Sequence, residues 1–585
     1  MNRKLSFQQL FILSSLVFGF MVVIIIIGCI IHYSNRGFEL SDEAYYLYLS
    51  NYYKPTSYNV STFGLLNRLA CLGNATLINL RLAKLIYQLI AVLFFVWSLL
   101  RYFNFKDIVL DLKQKAFVFI IIVVTSFGHY DYLPMTLSYN SWSLILMFMC
   151  FGLILLEFTI TSKSFAILTS LAVGFLCFSL FLAKLPNGII AMSLYGMFNL
   201  FYIKKNTILK IGGFVLGVLV GYVVILKSLD NLWAILENYR VTLFEVKHAD
   251  SNVYFKQFEK VLVICSQHKW QTLLVLVVLF TFLWGSIKLL SSIKKNTTPK
   301  KQIYSYLLFV FVFMLCLPFC KGNGHKTFND FIAVGLLLAN VFLFVYLYQS
   351  TSWKVSTFFK NDSYMVITVL VLMPVLLMLG TNNAFYYSTS PTMVFAFSGA
   401  LVYLMISKTQ HTFYLSMFNM VCCLFLVSIL YFGGIKKPYK QSNLNDKNYP
   451  LSFNPLLKGI YESRDVFVDA TSVNYIMNSI NKKHQPFFTF FNFYGFTIIN
   501  DNQTIPEMPL SGQERMLEYN DYVLSKSEIK QSKPLLLLPD TVIDNEKFKA
   551  LFSKYHIYLN QNYKQVYHYQ FISSEEKIYF YKSTL

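Results

Sequence analysis

Long apolar runs separated by short polar connections occupy the first three quarters of this chain. An α-helix needs roughly 17 to 25 such residues to cross a bilayer, and when shorter runs are included the pattern predicts about thirteen membrane-spanning helices. Their expected positions are 10–32, 78–100, 116–129, 141–160, 165–183, 187–203, 208–228, 270–290, 303–320, 331–349, 364–381, 392–407 and 412–435. The pattern therefore predicts an α-helical polytopic membrane protein.

The pattern changes after Gly433 and Gly434, where Asn, Lys, Asp and Pro become frequent. We therefore predict a transmembrane domain over 1–435 and a small soluble α/β domain over 436–585. The expected strands are Val466 to Asp469, Phe487 to Phe491, Leu535 to Leu538 and Ile578 to Tyr581, and the expected helices lie near Ser472 to Lys482 and Asn545 to Tyr555.

Composition and charge agree with a membrane protein and exclude a nucleic-acid-binding one. The 585 residues are 56% hydrophobic and only 14% charged, and the net charge of +21 comes mainly from short connections between apolar runs. Basic connections such as 101–115, 204–210 and 291–301 are expected on the cytoplasmic side. This puts the N-terminus inside and the C-terminal domain outside, in a plasma membrane, with lipids and no nucleic acid as partners.

Several common kinds of site have no sequence signature here. The nine cysteines lie mostly within apolar runs and none follows Cys423, which gives no disulfide framework and no Cys/His metal cluster. The chain also lacks a phosphate-binding Gly-rich loop, an H-E-x-x-H motif and a G-x-S-x-G motif. Zinc peptidase and ATPase activities are therefore unsupported.

An acidic pair, Asp42 and Glu43, directly follows the first apolar run in the stretch GFELSDEAYYLYLSNYY. Ser41 can cap a helix that begins at Asp42, and the tyrosines that follow suit a helix at a membrane surface. By the predicted topology the pair lies on the outer face, where a carboxylate can act as a base. Acidic residues in a first turn also complement the helix dipole without any further function, so both interpretations stand.

Cations follow in the second predicted span, LINLRLAKLIYQL, where Arg81, Lys84 and Gln88 share one helix stripe. Two cations on one stripe can hold a phosphate or pyrophosphate, or they can extend to the interface without a partner. The same pair of interpretations applies to Lys184 in FLAKLPNG and to Lys321 in KGNGHKTFND.

Other polar residues fall in the predicted outer connections and can bind a substrate or merely shape a loop. These are His129, Asp131, Tyr139, Asn140, His325, Asn382 and Asn383. His129 and Asp131 are suited to proton transfer or to orienting a hydroxyl group.

Several of these stretches resemble the integral-membrane glycosyltransferases of the GT-C fold, which include protein O-mannosyltransferases, lipid A aminoarabinose transferases and oligosaccharyltransferase catalytic subunits. The similar features are the Asp-Glu pair after span one and the stretches GLLNRLACLGNATLINLRLAKL, LSYNSWSLIL, FLAKLPNG and GTNN. The resemblance covers roughly 10–440. One difference is that many bacterial members carry Lys-Pro-Pro-Leu in the first loop, whereas this chain has YNVSTFGL from Tyr58 to Leu65.

The resemblance implies an inverting transfer of a sugar from a polyprenyl-phosphate donor to a hydroxyl of a glycan, lipid or protein acceptor at the outer membrane face. It implies that Asp42 or Glu43 is the catalytic base or, as in some members, a ligand of a divalent metal ion. It also implies that Arg81 and Lys84 lie near the donor phosphate and that no nucleotide is needed.

Two other functions remain open from the sequence, and no residue excludes a structural or scaffold role. A cell-envelope polysaccharide polymerase or ligase also acts outside on lipid-linked glycans, but it relies on basic residues in large outer loops. A lipid or solute transporter predicts charges buried in mid-span and inverted repeats.

Overall fold

The computed structural model describes residues 6–52, 63–131, 134–203, 206–226, 361–377, 389–406, 412–436 and 438–584, without 482–484, 502, 507–509, 526, 528 and 575. Up to Lys436 these residues are almost entirely helical. The α-helices are α1 (Phe7–Tyr33), α2 (Asp42–Tyr52), α3 (Phe63–Ala70), α4 (Leu77–Phe105), α5 (Leu112–Ser126), α6 (Tyr139–Glu157), α7 (Lys163–Ala183), α8 (Leu185–Phe198), α9 (Thr207–Leu226), α10 (Asp362–Leu376), α11 (Thr389–Ile406) and α12 (Thr412–Ile429).

Seven helical segments among the described residues are long and apolar enough to cross a membrane. They are Gln8–Tyr33, Leu77–Phe105, Leu112–Tyr130, Tyr139–Glu157, Lys163–Ala183, Thr207–Val224 and Leu415–Lys436. The predicted spans at 270–290, 303–320 and 331–349 lie outside the described residues. The chain is therefore a mostly helical, multi-pass membrane protein, while the number of about thirteen spans stays a prediction.

Helix α4 carries the polar stripe that the sequence predicts, and the stripe faces the protein interior. Thr76 caps the helix, because its side chain accepts a hydrogen bond from the backbone N–H of Asn79 at 3.2 Å. Arg81, Lys84 and Gln88 are each no more than 1% exposed. Their polar atoms therefore need protein partners, which decide what these residues can do.

Helices α7 and α9 pack closely because glycines face the neighbouring backbone. A Cβ atom at Gly174 would overlap the carbonyl oxygen of Phe214, and one at Gly217 would overlap that of Leu171. Small residues permit such close approach in helix pairs within membranes.

The described strands all lie beyond Lys436, in a small C-terminal domain with two sheets. Strands β1 (Tyr449–Leu451) and β2 (Ile460–Glu462) form an antiparallel pair. The second sheet has the order β3-β4-β6-β5, with β3 (Phe487–Thr489) parallel to β4 (Leu535–Pro539), and with β6 (Lys577–Ser583) antiparallel to both β4 and β5 (Tyr563–Gln570).

Three of the four predicted strands are confirmed, and one is wrong. The predictions at Phe487, Leu535 and Ile578 match β3, β4 and β6, and the predicted helix near Asn545 matches Glu546–Lys554. Residues 466–469 instead lie in the first turns of helix α13 (Arg464–Ile480), whose buried residues Ala470, Val473 and Met477 repeat with a helical period.

The C-terminal domain is hydrogen-bonded to the loop that follows α1. Gly37 N donates to Tyr461 O at 2.8 Å, and Tyr461 N donates to Asn35 O at 2.8 Å, which extends the pairing of β2 to the first loop. Tyr48 packs edge-on against Tyr494 with ring centroids 5.1 Å apart. Protein thus covers the tyrosines of α2, and Tyr46 and Tyr48 are buried. These two rings are not available to lipid, unlike those of the expected surface helix.

Candidate functional site

Asp42 lies at the first position of α2, where its carboxylate meets the connection to the C-terminal domain. Its Oδ2 atom accepts hydrogen bonds from the Tyr439 hydroxyl at 2.6 Å and from Lys440 Nζ at 2.7 Å. Asp42 keeps 20% of its side-chain surface exposed and Lys440 keeps 45%. This carboxylate is therefore both held in place and accessible.

Glu39, which the sequence analysis did not single out, caps the helix that bears the acidic pair. Its carboxylate accepts hydrogen bonds from Ser41 N and from Glu43 N, each at 3.0 Å. The capping role expected of the Ser41 side chain is thus filled by Glu39. Burial raises the pKa of Glu39, and the negative charge of Asp42 raises it further.

Glu43 has a different environment, because it forms a buried ion pair with Arg81. Arg81 Nε lies 3.0 Å from Glu43 Oε1 and Arg81 Nη2 lies 2.6 Å from Oε2, and the two side chains are 1% and 0% exposed. The guanidinium also donates to the carbonyl oxygens of Ser34, Arg36 and Gly37. A guanidinium has five N–H groups, so this one has no donor left for the phosphate that the sequence predicted.

Lys84 and Lys184 are also bound by protein groups. Lys84 Nζ donates to Pro134 O at 2.9 Å and lies 4.3 Å from the centre of the Tyr130 ring. Lys184 Nζ donates to Leu377 O at 2.7 Å. Lys84 is 0% exposed and Lys184 is 7% exposed, so neither ammonium group faces an open site in this structure.

The predicted polar residues between α5 and α6 are mostly buried. His129 Nε2 lies 3.3 Å from Ser141 Oγ, and Asp131 is fully buried.

Tyr139 and Asn140 are half-buried at the start of α6, and the Tyr139 ring lies 6.3 Å from that of Tyr46. Burial raises the pKa of the Tyr46 hydroxyl, and the negative charges of Asp42 and other acidic groups raise it further. Lys321, His325, Asn382 and Asn383 lie outside the described residues.

A cavity of about 1070 Å³ opens beside Asp42, between the first loop, the connection after α12 and the C-terminal domain. Glu39 lines it from the first loop, Tyr439 and Lys440 from the connection, and Asp465 and Asn492 from the C-terminal domain. Asp42 thus reaches the cavity wall through its two hydrogen-bond partners. A second ion pair, Lys447 with Glu462 at 2.7 Å, is buried in the wall.

The arrangement around Asp42 does not suit a divalent metal ion. Its side-chain partners are a lysine ammonium and a tyrosine hydroxyl, whereas Mg²⁺ and Ca²⁺ take several carboxylate or carbonyl oxygens. Across the described part of the chain, no group of three or more His, Cys, Asp or Glu side chains is arranged to hold a metal ion. What the arrangement provides is a partly exposed carboxylate next to an exposed ammonium group.

Sequence reasoning missed Tyr439 and Lys440, which are the partners of Asp42. They lie in the stretch KKPYKQ, a basic run just past the last predicted span. This position was the only feature of the sequence that could have pointed to them. The chain separates Lys440 from Asp42 by 398 positions. Comparison with protein-family models and with curated proteins gives no match to this chain, so its function has to be argued from the chemistry of the site.

Proposed function

We propose that this protein is a membrane glycosyltransferase that resembles the GT-C enzymes and moves a sugar from a polyprenyl-phosphate donor to an acceptor hydroxyl. The observation that carries the proposal is the Asp42 carboxylate. It is partly exposed at the start of α2, it is oriented by Tyr439 and Lys440, and it lies beside a cavity of about 1070 Å³. Ligand cavities of roughly 300 to 1,000 Å³ hold molecules the size of a sugar phosphate.

In the proposed reaction Asp42 is the general base. Its carboxylate takes the proton of the acceptor hydroxyl while the acceptor oxygen forms a bond to the anomeric carbon of the sugar. The bond between that carbon and the phosphate oxygen breaks, and its electron pair leaves with polyprenyl phosphate. Attack opposite the leaving group inverts the anomeric centre, and no nucleotide takes part.

Asp42 suits this role better than Glu43. The Glu43 carboxylate is 0% exposed and is bonded by Arg81 through both oxygens, so a substrate hydroxyl cannot approach it without breaking a buried ion pair. Asp42 retains exposed surface and points toward the connection that lines the cavity. We therefore assign the base to Asp42 and the support of the loop to Glu43.

The wider proposal includes the membrane arrangement. About thirteen spans in a plasma membrane, with the N-terminus in the cytoplasm, bring the first loop and the C-terminal domain together on the outer side. The seven candidate spans and the hydrogen bonds between loop and domain support this arrangement. The acceptor is then a glycan, lipid or protein outside the cell.

The test is turnover of polyprenyl-phosphate sugars in proteoliposomes, measured as release of free polyprenyl phosphate. We expect Asp42→Asn to lower the rate by roughly 10² to 10⁴, the usual contribution of a general base. Asp521→Asn is a matched control, because Asp521 also accepts hydrogen bonds from a lysine, Lys554 at 2.7 Å, and from a tyrosine, Tyr555 at 2.6 Å, away from the cavity lining. Normal turnover in Asp42→Asn would refute the assignment.

A further inference from the structure

The proposed reaction needs a cation for the departing phosphate, and the cations predicted from the sequence are already in use where the structure describes them. Arg81 has all five N–H groups bonded to protein oxygens. The ammonium groups of Lys84 and Lys184 are buried against backbone carbonyls. A phosphate would have to displace these contacts inside the protein.

Lys440 has the exposure that those residues lack. It is 45% exposed, and it lines the same cavity as Glu39 and Asn492. Its Nζ atom lies 2.7 Å from Asp42 Oδ2 and 2.8 Å from Ser41 Oγ, and it lies over the rings of Tyr439 and Phe491 at 5.0 and 5.6 Å from their centres. The ammonium is thus held beside the base by contacts that water can reach.

The backbone of Lys440 is also unusual. Its φ angle is +50°, in the left-handed region that residues with a Cβ atom seldom adopt. A turn closed by the hydrogen bond from Gln441 N to Pro438 O, at 3.1 Å, holds it there. The turn thus fixes where the Lys440 side chain starts, beside the N-terminus of α2.

We propose that Lys440 binds the phosphate of the lipid-linked donor, and that it leaves Asp42 to do so, which frees the base for the acceptor. This inference rests on the proposed function and adds to it a phosphate-binding residue from the connection between the two domains. A phosphate group carries more negative charge than one carboxylate and offers several acceptor oxygens, so it competes well for the ammonium. Donor binding and release of the base are then one event.

Binding of decaprenyl phosphate to the full-length protein in detergent tests this without any turnover. We expect Lys440→Met to weaken binding by about tenfold or more, since a charge-assisted hydrogen bond is lost, and Lys440→Arg to stay within a few-fold of wild type. Lys554→Met is the matched control, because Lys554 bonds Asp521 at 2.7 Å and lies over the Tyr555 ring at 5.6 Å. Equal affinity of Lys440→Met and wild type would overturn the proposal.

A second variant distinguishes two roles of Lys440: binding phosphate, or only holding the connection against α2 through the contact with Asp42. In Asp42→Asn the ammonium loses its competing carboxylate, so decaprenyl phosphate should bind several-fold more tightly. If Lys440 has only the structural role, the affinity of this variant for decaprenyl phosphate should be unchanged or lower. Either result would count against the proposal.

Competing ligands identify the source of the phosphate. We expect neither decaprenol nor inorganic phosphate nor phosphatidylglycerol to displace decaprenyl phosphate at equal concentration. Equal competition by phosphatidylglycerol or inorganic phosphate would overturn the assignment to the donor. The turnover of Asp42→Asn decides the glycosyltransferase proposal separately, because these binding measurements require no acceptor and no reaction.

Discussion

Asp42 and Glu43 are adjacent in the sequence, yet their carboxylates lie in opposite environments. Glu43 is 0% exposed and forms part of a closed network with Arg81, whereas Asp42 is 20% exposed and bonds two residues that line a cavity. Adjacent residues on a helix point about 100° apart, so one can face the interior while the next contacts the connection after α12. Glu43 therefore supports the structure of the first loop, whereas the Asp42 carboxylate remains accessible.

The contrast between the two carboxylates can be tested by stability measurements, and we expect the largest loss of stability from Arg81→Ala. The substitution leaves Glu43 as a buried carboxylate without its cation, and breaking such a pair costs about 3 to 5 kcal/mol of unfolding free energy. In detergent, this variant should therefore unfold at a much lower temperature than wild type. Arg68→Ala is the control, because Arg68 is exposed on α3. If both variants unfold like wild type, Glu43 and Arg81 do not hold the first loop in place.

The next effect concerns the contact between the first loop and the C-terminal domain. Gly495 N donates to Leu40 O at 2.7 Å, and a Cβ at Gly495 would lie 2.9 Å from Leu40 Cα. We expect Gly495→Ala to lower the unfolding free energy by about 1 to 3 kcal/mol through overpacking. Gly512→Ala provides the comparison, because its Cβ would meet its nearest atom at 3.9 Å. Similar stability of the two variants would mean that the domain is not held tightly at Leu40.

The smallest stability effect is expected at the available member of the pair. Asp42→Asn removes a partly exposed ion pair, and such pairs contribute about 0 to 1 kcal/mol. Its thermal unfolding should therefore match that of Asp521→Asn, while its sugar transfer falls and that of Asp521→Asn does not. A stability loss as large as that of Arg81→Ala would show that Asp42 is structural too, and the contrast with Glu43 would disappear.

Local patterns predicted much of the fold. The helix that begins at Asp42 follows from its acidic first turn, and β4 follows from four consecutive leucines, Leu535–Leu538, which are all buried. The error at 466–469 arose because Val466, Phe467 and Val468 favour a strand over three residues, whereas the helical repeat becomes visible only over the following ten.

The candidate site was less predictable, because its contacts join distant parts of the chain. Sequence analysis singled out Asp42, Glu43 and Arg81, but it could not show that Glu43 uses both oxygens on Arg81. Nor could it find Lys440, since a lysine in a polar connection carries no signal of a carboxylate 398 positions away. Tertiary pairing decides which of the charged residues remain available.

The pairing of the first loop with β2 also has a consequence for biosynthesis. Phe38 N donates to the Glu462 side chain, and these two residues are 424 positions apart in the chain. A ribosome that adds about 5 to 20 residues per second needs tens of seconds to make the intervening segment. During that time the nascent chain has its acidic pair but no cavity beside it, so the candidate site forms only as translation of the C-terminal domain finishes.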